Sequence, residues 1–206
     1  MEGPFHVIGV MSGSSLDGID VAYCRFVKHD EDWTHAIEDA ATVPFDEAMR
    51  KRLLGVMQGP ALELARLDRD LGRMIARACN ELRAGRPLDL IGSHGHTIFH
   101  QPLEGLTTQI GSGAQIAALT GRPVVFDLRS KDVALGGQGA PLVPFGERAL
   151  FNGTDTFLNL GGIANVSHHG PDKVTGYGIC TCNRALKLLA NAAQFASDKD
   201  GARSRR

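Results

Sequence analysis

Three short stretches of this chain carry the side chains best suited to chemistry. The first, Gly9–Asp20 (GVMSGSSLDGID), mixes glycines with hydroxyls and two carboxylates, Asp17 and Asp20. Glycine lets the main chain approach a ligand closely, and backbone amides bind small anions without any net positive charge. No G-x-x-x-x-G-K-[ST] is present, so this is not a Walker loop, and a structural hairpin with polar turn residues is the alternative. The second stretch, SHGHTIFHQP, holds His94, His96 and His100 at a spacing that fits no zinc site, so capping and turn hydrogen bonds compete with a ligand role. The third, FDLRSKD, puts Arg129 and Asp132 in a loop directly after a strand, where α/β proteins place ligands; a surface ion pair between the two is the alternative. A serine hydrolase using Ser14 or Ser15 with His94 lacks the G-x-S-x-G elbow.

The elements that must position these residues follow from patterning. Phe5–Val10 and Gly18–Phe26 read as strands of a hairpin whose loop is Ser12–Asp17, with a weaker third strand at Trp33–Val43. Two helices are predicted, Asp46–Met57 and Ala61–Arg83, the second with Leu67, Leu71, Ile75 and Ala78 on one face. A short strand, Leu88–Gly92, runs into the histidines, and Thr97–Ile110 reads as a hairpin. Then come a helix at Gly113–Thr120, a strand at Pro123–Asp127 and a glycine-rich loop from Leu128 to Pro141. Phe157–Leu160 and Asn165–His168 bracket a second glycine turn, and Asn183–Phe195 is an amphipathic helix. A strand, a glycine turn and a strand thus occur twice, an echo of the two-lobed plan of the actin, Hsp70 and hexokinase fold, although periodicity alone supports only an α/β class with mixed sheets.

The 22 basic and 23 acidic side chains nearly cancel, so neither a nucleic acid nor an anionic membrane is an expected partner. The opening MEGPFHVIGVMSGSS lacks a basic flank and its apolar stretch is broken by Gly9, unlike a signal peptide, and no apolar run is long enough to span a bilayer. Four cysteines without an export signal fit reduced thiols and a cytoplasmic location.

In five ordered segments the chain resembles the anhydro-N-acetylmuramic acid kinase family. Gly9–Asp20 is similar to the family's first phosphate loop, with Ser14 where Thr is usual. Ser93–Pro102 is similar in a form with His96 where many members carry Gln. Gln109–Pro144, Leu158–Ser167 and Gly176–Asn183 resemble the segments that follow, with Leu128 where the family has an aromatic residue. The resemblance implies an α/β, actin/Hsp70/hexokinase-like (ribonuclease H-like) lobe, followed here by an incomplete second lobe. It implies a kinase of peptidoglycan recycling that uses ATP, Mg2+ and water. The family opens the ring of 1,6-anhydro-N-acetylmuramic acid while the bridging oxygen takes the γ-phosphoryl group, giving N-acetylmuramic acid 6-phosphate. Carried over residue by residue, ATP or phosphate would be held by Gly13, Ser14, Ser15, Leu16, Asp17, Gly18, Ile19 and Asp20. Asp17 or Asp20 would hold magnesium through water, and His94, His96, Arg129 and Asp132 would contact the amino sugar.

The last segment departs from the family. Gly176-Tyr177-Gly178-Ile179-Cys180-Thr181-Cys182-Asn183 resembles a motif reading GFDTGPGN, or GYDICPCN in one branch. Its aspartate implies a general base, and Gly178 stands at that position with no side chain to accept a proton. Losing such a base costs about 10²–10⁴-fold in rate. The branch pattern accounts for Cys180 and Cys182 without a metal or redox role. We expect a first lobe over 1–150, the start of a second over 151–202 and an unrelated tail over 203–206. Uncovered apolar faces on a bisected second lobe would favour a homodimer or aggregation. An impaired kinase is therefore expected, its turnover not restored by Gly178→Asp alone, with a non-catalytic remnant that binds nucleotide or amino sugar as the alternative.

Overall fold

The computed structural model describes residues 3–192 other than Ser14, Glu31 and Asn152. The chain divides into two compact units, the first ending at Leu142 and the second beginning at Val143.

The first unit opens with an antiparallel meander of β1 (Phe5–Ser12), β2 (Gly18–His29) and β3 (Asp32–Pro44). Two helices follow, α1 (Glu47–Gly55) and α2 (Ala61–Arg83), and the chain then returns as β4 (Leu90–Gln101), parallel to β1. Along its outer edge β4 has two partners: β5 (Leu106–Ile110) runs antiparallel to its second half, and β6 (Val124–Val125) parallel to its first. Between them lies α3 (Gly113–Thr120), and after them α4 (Ser130–Ala134). The order β3-β2-β1-β4-β5 gives the mixed sheet of the actin-like, ribonuclease H-like class expected from the sequence.

Burial alternates along β1: Ile8, Val10 and Ser12 point into the core, whereas Gly9 and Met11 face the other way. Helix α2 supplies the opposite wall of the core with Leu67, Leu71, Ile75 and Cys79, packed with Ile19, Val21 and Tyr23 of β2 and Ile91 of β4. Each such side chain, fully buried, contributes roughly 1.5–3 kcal/mol of transfer free energy. Burial without a charged neighbour pushes the Cys79 thiol up to about 12, so this cysteine is an inert core residue. Asp46 caps α1 by accepting the Met49 N–H at 2.7 Å, and α2 ends where Ala84 adopts a left-handed conformation.

The second unit holds α5 (Val143–Leu150), an antiparallel sheet of β7 (Thr156–Leu160), β8 (Ile163–His169) and β9 (Val174–Thr181), and α6 (Asn183–Ala192). Helix α5, counted with the first lobe in the sequence division, clusters with this unit. The last three residues of the helix expected at Asn183–Phe195, and the tail expected at 203–206, lie outside the described residues. No helix among the described residues is long and apolar enough to cross a membrane.

Candidate functional site

A cavity of about 630 Å3 opens on the sheet face turned away from α2, bordered by Gly9 and Met11 of β1, Asp20 of β2, Thr42 of β3, His94 of β4 and Leu128. Gly9 and Gly92 are register partners on adjacent strands, so the floor of the cavity is bare backbone.

The first loop closes tightly. Gly13–Asp17 connects β1 to β2, and the Leu16 N–H returns to the Gly13 carbonyl at 3.1 Å. Leu16 has φ +56, and its carbonyl accepts from Arg50 Nε of α1 at 3.2 Å. Gly18 is required by close approach, because a Cβ there would lie 2.2 Å from the Val43 carbonyl oxygen. Gly18, Ile19 and Asp20 belong to β2 rather than to the loop. The Ile19 side chain is fully buried in the core, which leaves its main chain as the part that a ligand could reach. Asp20 lines the cavity, its Oδ1 accepting from Thr42 Oγ1 at 2.6 Å. Ser14 lies outside the described residues.

The histidines part company. At a spacing of two on a regular strand His94 and His96 would share a face, but β4 carries an extra residue between Ser93 and His96, opposite Val10–Ser12 of β1. Gly95 absorbs it with φ +70, and a Cβ there would lie 2.3 Å from the Ile110 carbonyl oxygen. His94 consequently faces the cavity, while His96 turns into the core, 5% exposed, with its Nδ1 3.0 Å from Ser12 Oγ. The sugar contact expected of His96 gives way to a hold on the residue that precedes the loop.

His94 is tied at both ring nitrogens. Its Nδ1 lies 3.0 Å from the Gly95 carbonyl oxygen, which can only accept, so Nδ1 carries the proton; Nε2 then accepts from Arg129 Nε at 2.9 Å. Burial, with the Arg129 charge adding to it, lowers the His94 pKa from its usual value despite the Gly95 hydrogen bond. A neutral ring in this tautomer, its lone pair engaged, orients the guanidinium and is not a free base. Burial lowers the Arg129 pKa as well. Arg129 Nη1 donates to the Gly139 carbonyl at 2.5 Å, while the Gly139 N–H donates to Asp132 Oδ2 at 2.6 Å. Arg129 and Asp132 therefore grip the two sides of one residue, Gly139, instead of pairing with each other. Gly137 is confined by this grip, since a Cβ on it would lie 2.3 Å from Asp132 Oδ2. Asp132 shapes the glycine loop, and Arg129 is the group it presents beside His94. Ser12, Thr42, Arg50 and Gly139 were missed from sequence because each acts through a partner at least ten residues away.

In the second unit the Gly161–Gly162 turn between β7 and β8 is braced from the start of α6. Asn183 donates through Nδ2 to the Leu160 carbonyl and through its N–H to that of Gly161, and the Cys182 N–H reaches Gly162. Gly178 is exposed on β9 opposite Asn165, and a Cβ there would meet only Ile163 Cγ2 at 3.6 Å, so a side chain fits. Cys180 and Cys182 are free thiols, and the described residues contain no group of three or more His, Cys, Asp or Glu placed to hold a metal.

A tight glycine turn, a carboxylate and a histidine–arginine pair thus lie along one sheet. The family model for anhydro-N-acetylmuramic acid kinase matches residues 5–206. This chain belongs to the anhydro-N-acetylmuramic acid kinase family. Proteins with that name from Paramagnetospirillum magneticum, Gloeothece citriformis and Pseudomonas fluorescens are 43%, 39% and 42% identical to it over 168, 225 and 184 residues. These matches cover 78%, 95% and 82% of this chain but 46%, 57% and 49% of the relatives, so the chain spans about half the length of the curated kinases it matches.

Proposed function

We propose that this chain carries the phosphate-loop and sugar-binding part of an ATP-dependent kinase for 1,6-anhydro-N-acetylmuramic acid in peptidoglycan recycling, with its chemical step impaired. The observation that carries the proposal is the convergence of Asp20, His94 and the Arg129 loop at the cavity beside the Gly13–Asp17 turn. Phosphoryl transfer relies on positioned amides, charges and a metal more than on covalent chemistry. The loop's main chain would hold the phosphates, and Arg129, braced by His94 and Gly139, would bind polar groups of the sugar.

Magnesium suits Asp20, a hard oxygen donor facing the cavity, with Asp17 as the other carboxylate of the segment. When bound, magnesium would supply positive charge to offset the charge that develops during transfer. Asp20 and Thr42 would orient its water shell. Gly178, at the family's aspartate position, offers no group to take a proton from the attacking water. That favours a second reading, in which the chain binds nucleotide or sugar without turnover. A cytoplasmic location and self-association belong to the same proposal.

Calorimetric titration tests the site. Magnesium ATP should bind the unmodified chain and bind more weakly to Asp20→Asn. Arg129→Ala should weaken the anhydro sugar roughly 10–100-fold, the worth of a charged hydrogen bond or two, with ATP affinity kept. Sugar affinity indifferent to Arg129→Ala would remove the basis for the sugar site.

A further inference from the structure

We infer that His96 is a positioning residue that locks Ser12, and through it the Gly13–Asp17 turn, into the phosphate-ready conformation. This rests on the reading of that turn as a phosphate loop. Ser12 is the last residue of β1 and 2% exposed, and the turn begins at the next residue. His96 lies opposite Ser12 in the parallel ladder and opposite Ile110 on the β5 side, so its backbone is fixed from both edges. Its ring is fixed by the buried hydrogen bond to Ser12 Oγ at 3.0 Å. Ser12 is thereby tied to β4 by both backbone and side chain, and Gly13 leaves the sheet from an anchored point. The bulge at Gly95 exists in the fold to this effect: without it the ring would stand on the cavity face with His94.

Burial favours the lock with a neutral ring. Around His96, β1 offers the Ser12 hydroxyl, β5 carries no titratable side chain, and α2 packs Leu71 and Ile75 against neighbouring Gly111. Asp68 of that helix accepts from the Gly111 N–H at 2.8 Å. On β4 stands His94, and beyond it Arg129, which is cationic. An imidazolium at His96 would therefore sit in the core without a counter-charge. Burial, reinforced by His94, accordingly lowers its pKa below the ordinary 6.5. As pH falls through that lowered value, Nδ1 of the charged ring would still donate to Ser12 Oγ, but the buried charge favours conformers that bring the ring to water, and the turn loosens. Glutamine is neutral at every pH and offers both donor and acceptor, so it should keep the lock and lose the acid sensitivity.

The test is amide hydrogen exchange on Gly13 and Ser15–Gly18 in the nucleotide-free chain, corrected for intrinsic rates, near pH 8 and near pH 5. Unmodified protein should show the turn protected at the higher pH and about tenfold less protected at the lower. His96→Gln should be protected at both, and His96→Ala at neither. Equal protection in His96→Ala and unmodified protein near pH 8 would overturn the inference, as would acid loosening that persists in His96→Gln. If His96→Ala fails to fold, the pH response of the unmodified and glutamine proteins decides alone. Magnesium ATP added to the unmodified protein separates the two layers. Protection that rises supports the phosphate role; protection that does not rise overturns that role, while the His96 series still judges the lock.

Discussion

At the residue scale the arrangement turns on two histidines that differ in role because they differ in side. His94 is assigned one tautomer by the Gly95 carbonyl, and nitrogen chemical shifts near neutral pH should show Nδ1 protonated and Nε2 as an acceptor. Arg129→Ala should shift the Nε2 resonance by removing its donor; an unchanged resonance would mean that the pair does not form. Both histidines have folded-state pKa values below the ordinary 6.5, so the unfolded chain takes up protons first as pH falls. They contribute no pH dependence well above 6.5, and a loss of stability that grows below it until their folded-state values are passed. Urea midpoints should therefore fall from pH 7 toward pH 5, less steeply in His96→Gln. A slope unaltered by that substitution would place the acid sensitivity elsewhere.

At the element scale the sheet depends on a few glycines whose reasons are not local. Gly95→Ala adds a Cβ against the Ile110 carbonyl at a φ of +70 and should cost on the order of 3 kcal/mol, read as a drop in urea midpoint. Leu71→Ala, at the centre of α2, should cost about 2–5 kcal/mol by the same measurement, whereas a Cβ on exposed Gly178 should cost little. The first hairpin, the stripe of α2 and helix α3 were legible in sequence because alternation and 3.6-residue periodicity are local signals. The length of β4 was not: after Gly92 it runs through polar histidines, and only pairing with β5 makes them a strand. Nor was α5, where Pro144 sits inside VPFGERAL and reads as a breaker, although the first turn of a helix tolerates proline. The site residues were legible as types but not as partners. The sequence offered Arg129 and Asp132 as ligand contacts, with an ion pair as the alternative, and only the return of the glycine loop shows both holding Gly139. Likewise the sequence grouped His94 and His96 as sugar contacts, and only the bulge between them shows that they face opposite sides.

At the scale of the whole molecule, a family membership and a missing carboxylate have to be reconciled. The chain belongs with the anhydro-N-acetylmuramic acid kinases over residues 5–206, yet Gly178 stands where the resembled motif has its aspartate. On the proposed reading, binding rests on the first unit: the tight turn, Asp20 at the cavity and the braced Arg129. Binding and chemistry should therefore separate. The most direct test is the rate of ADP release that depends on 1,6-anhydro-N-acetylmuramic acid, at saturating magnesium ATP, with the Paramagnetospirillum magneticum relative assayed alongside. The account predicts that the unmodified chain is slower by about 10²-fold or more, as loss of a general base implies. A rate comparable to that of the relative would contradict it, and would mean that another group takes the proton from the attacking water.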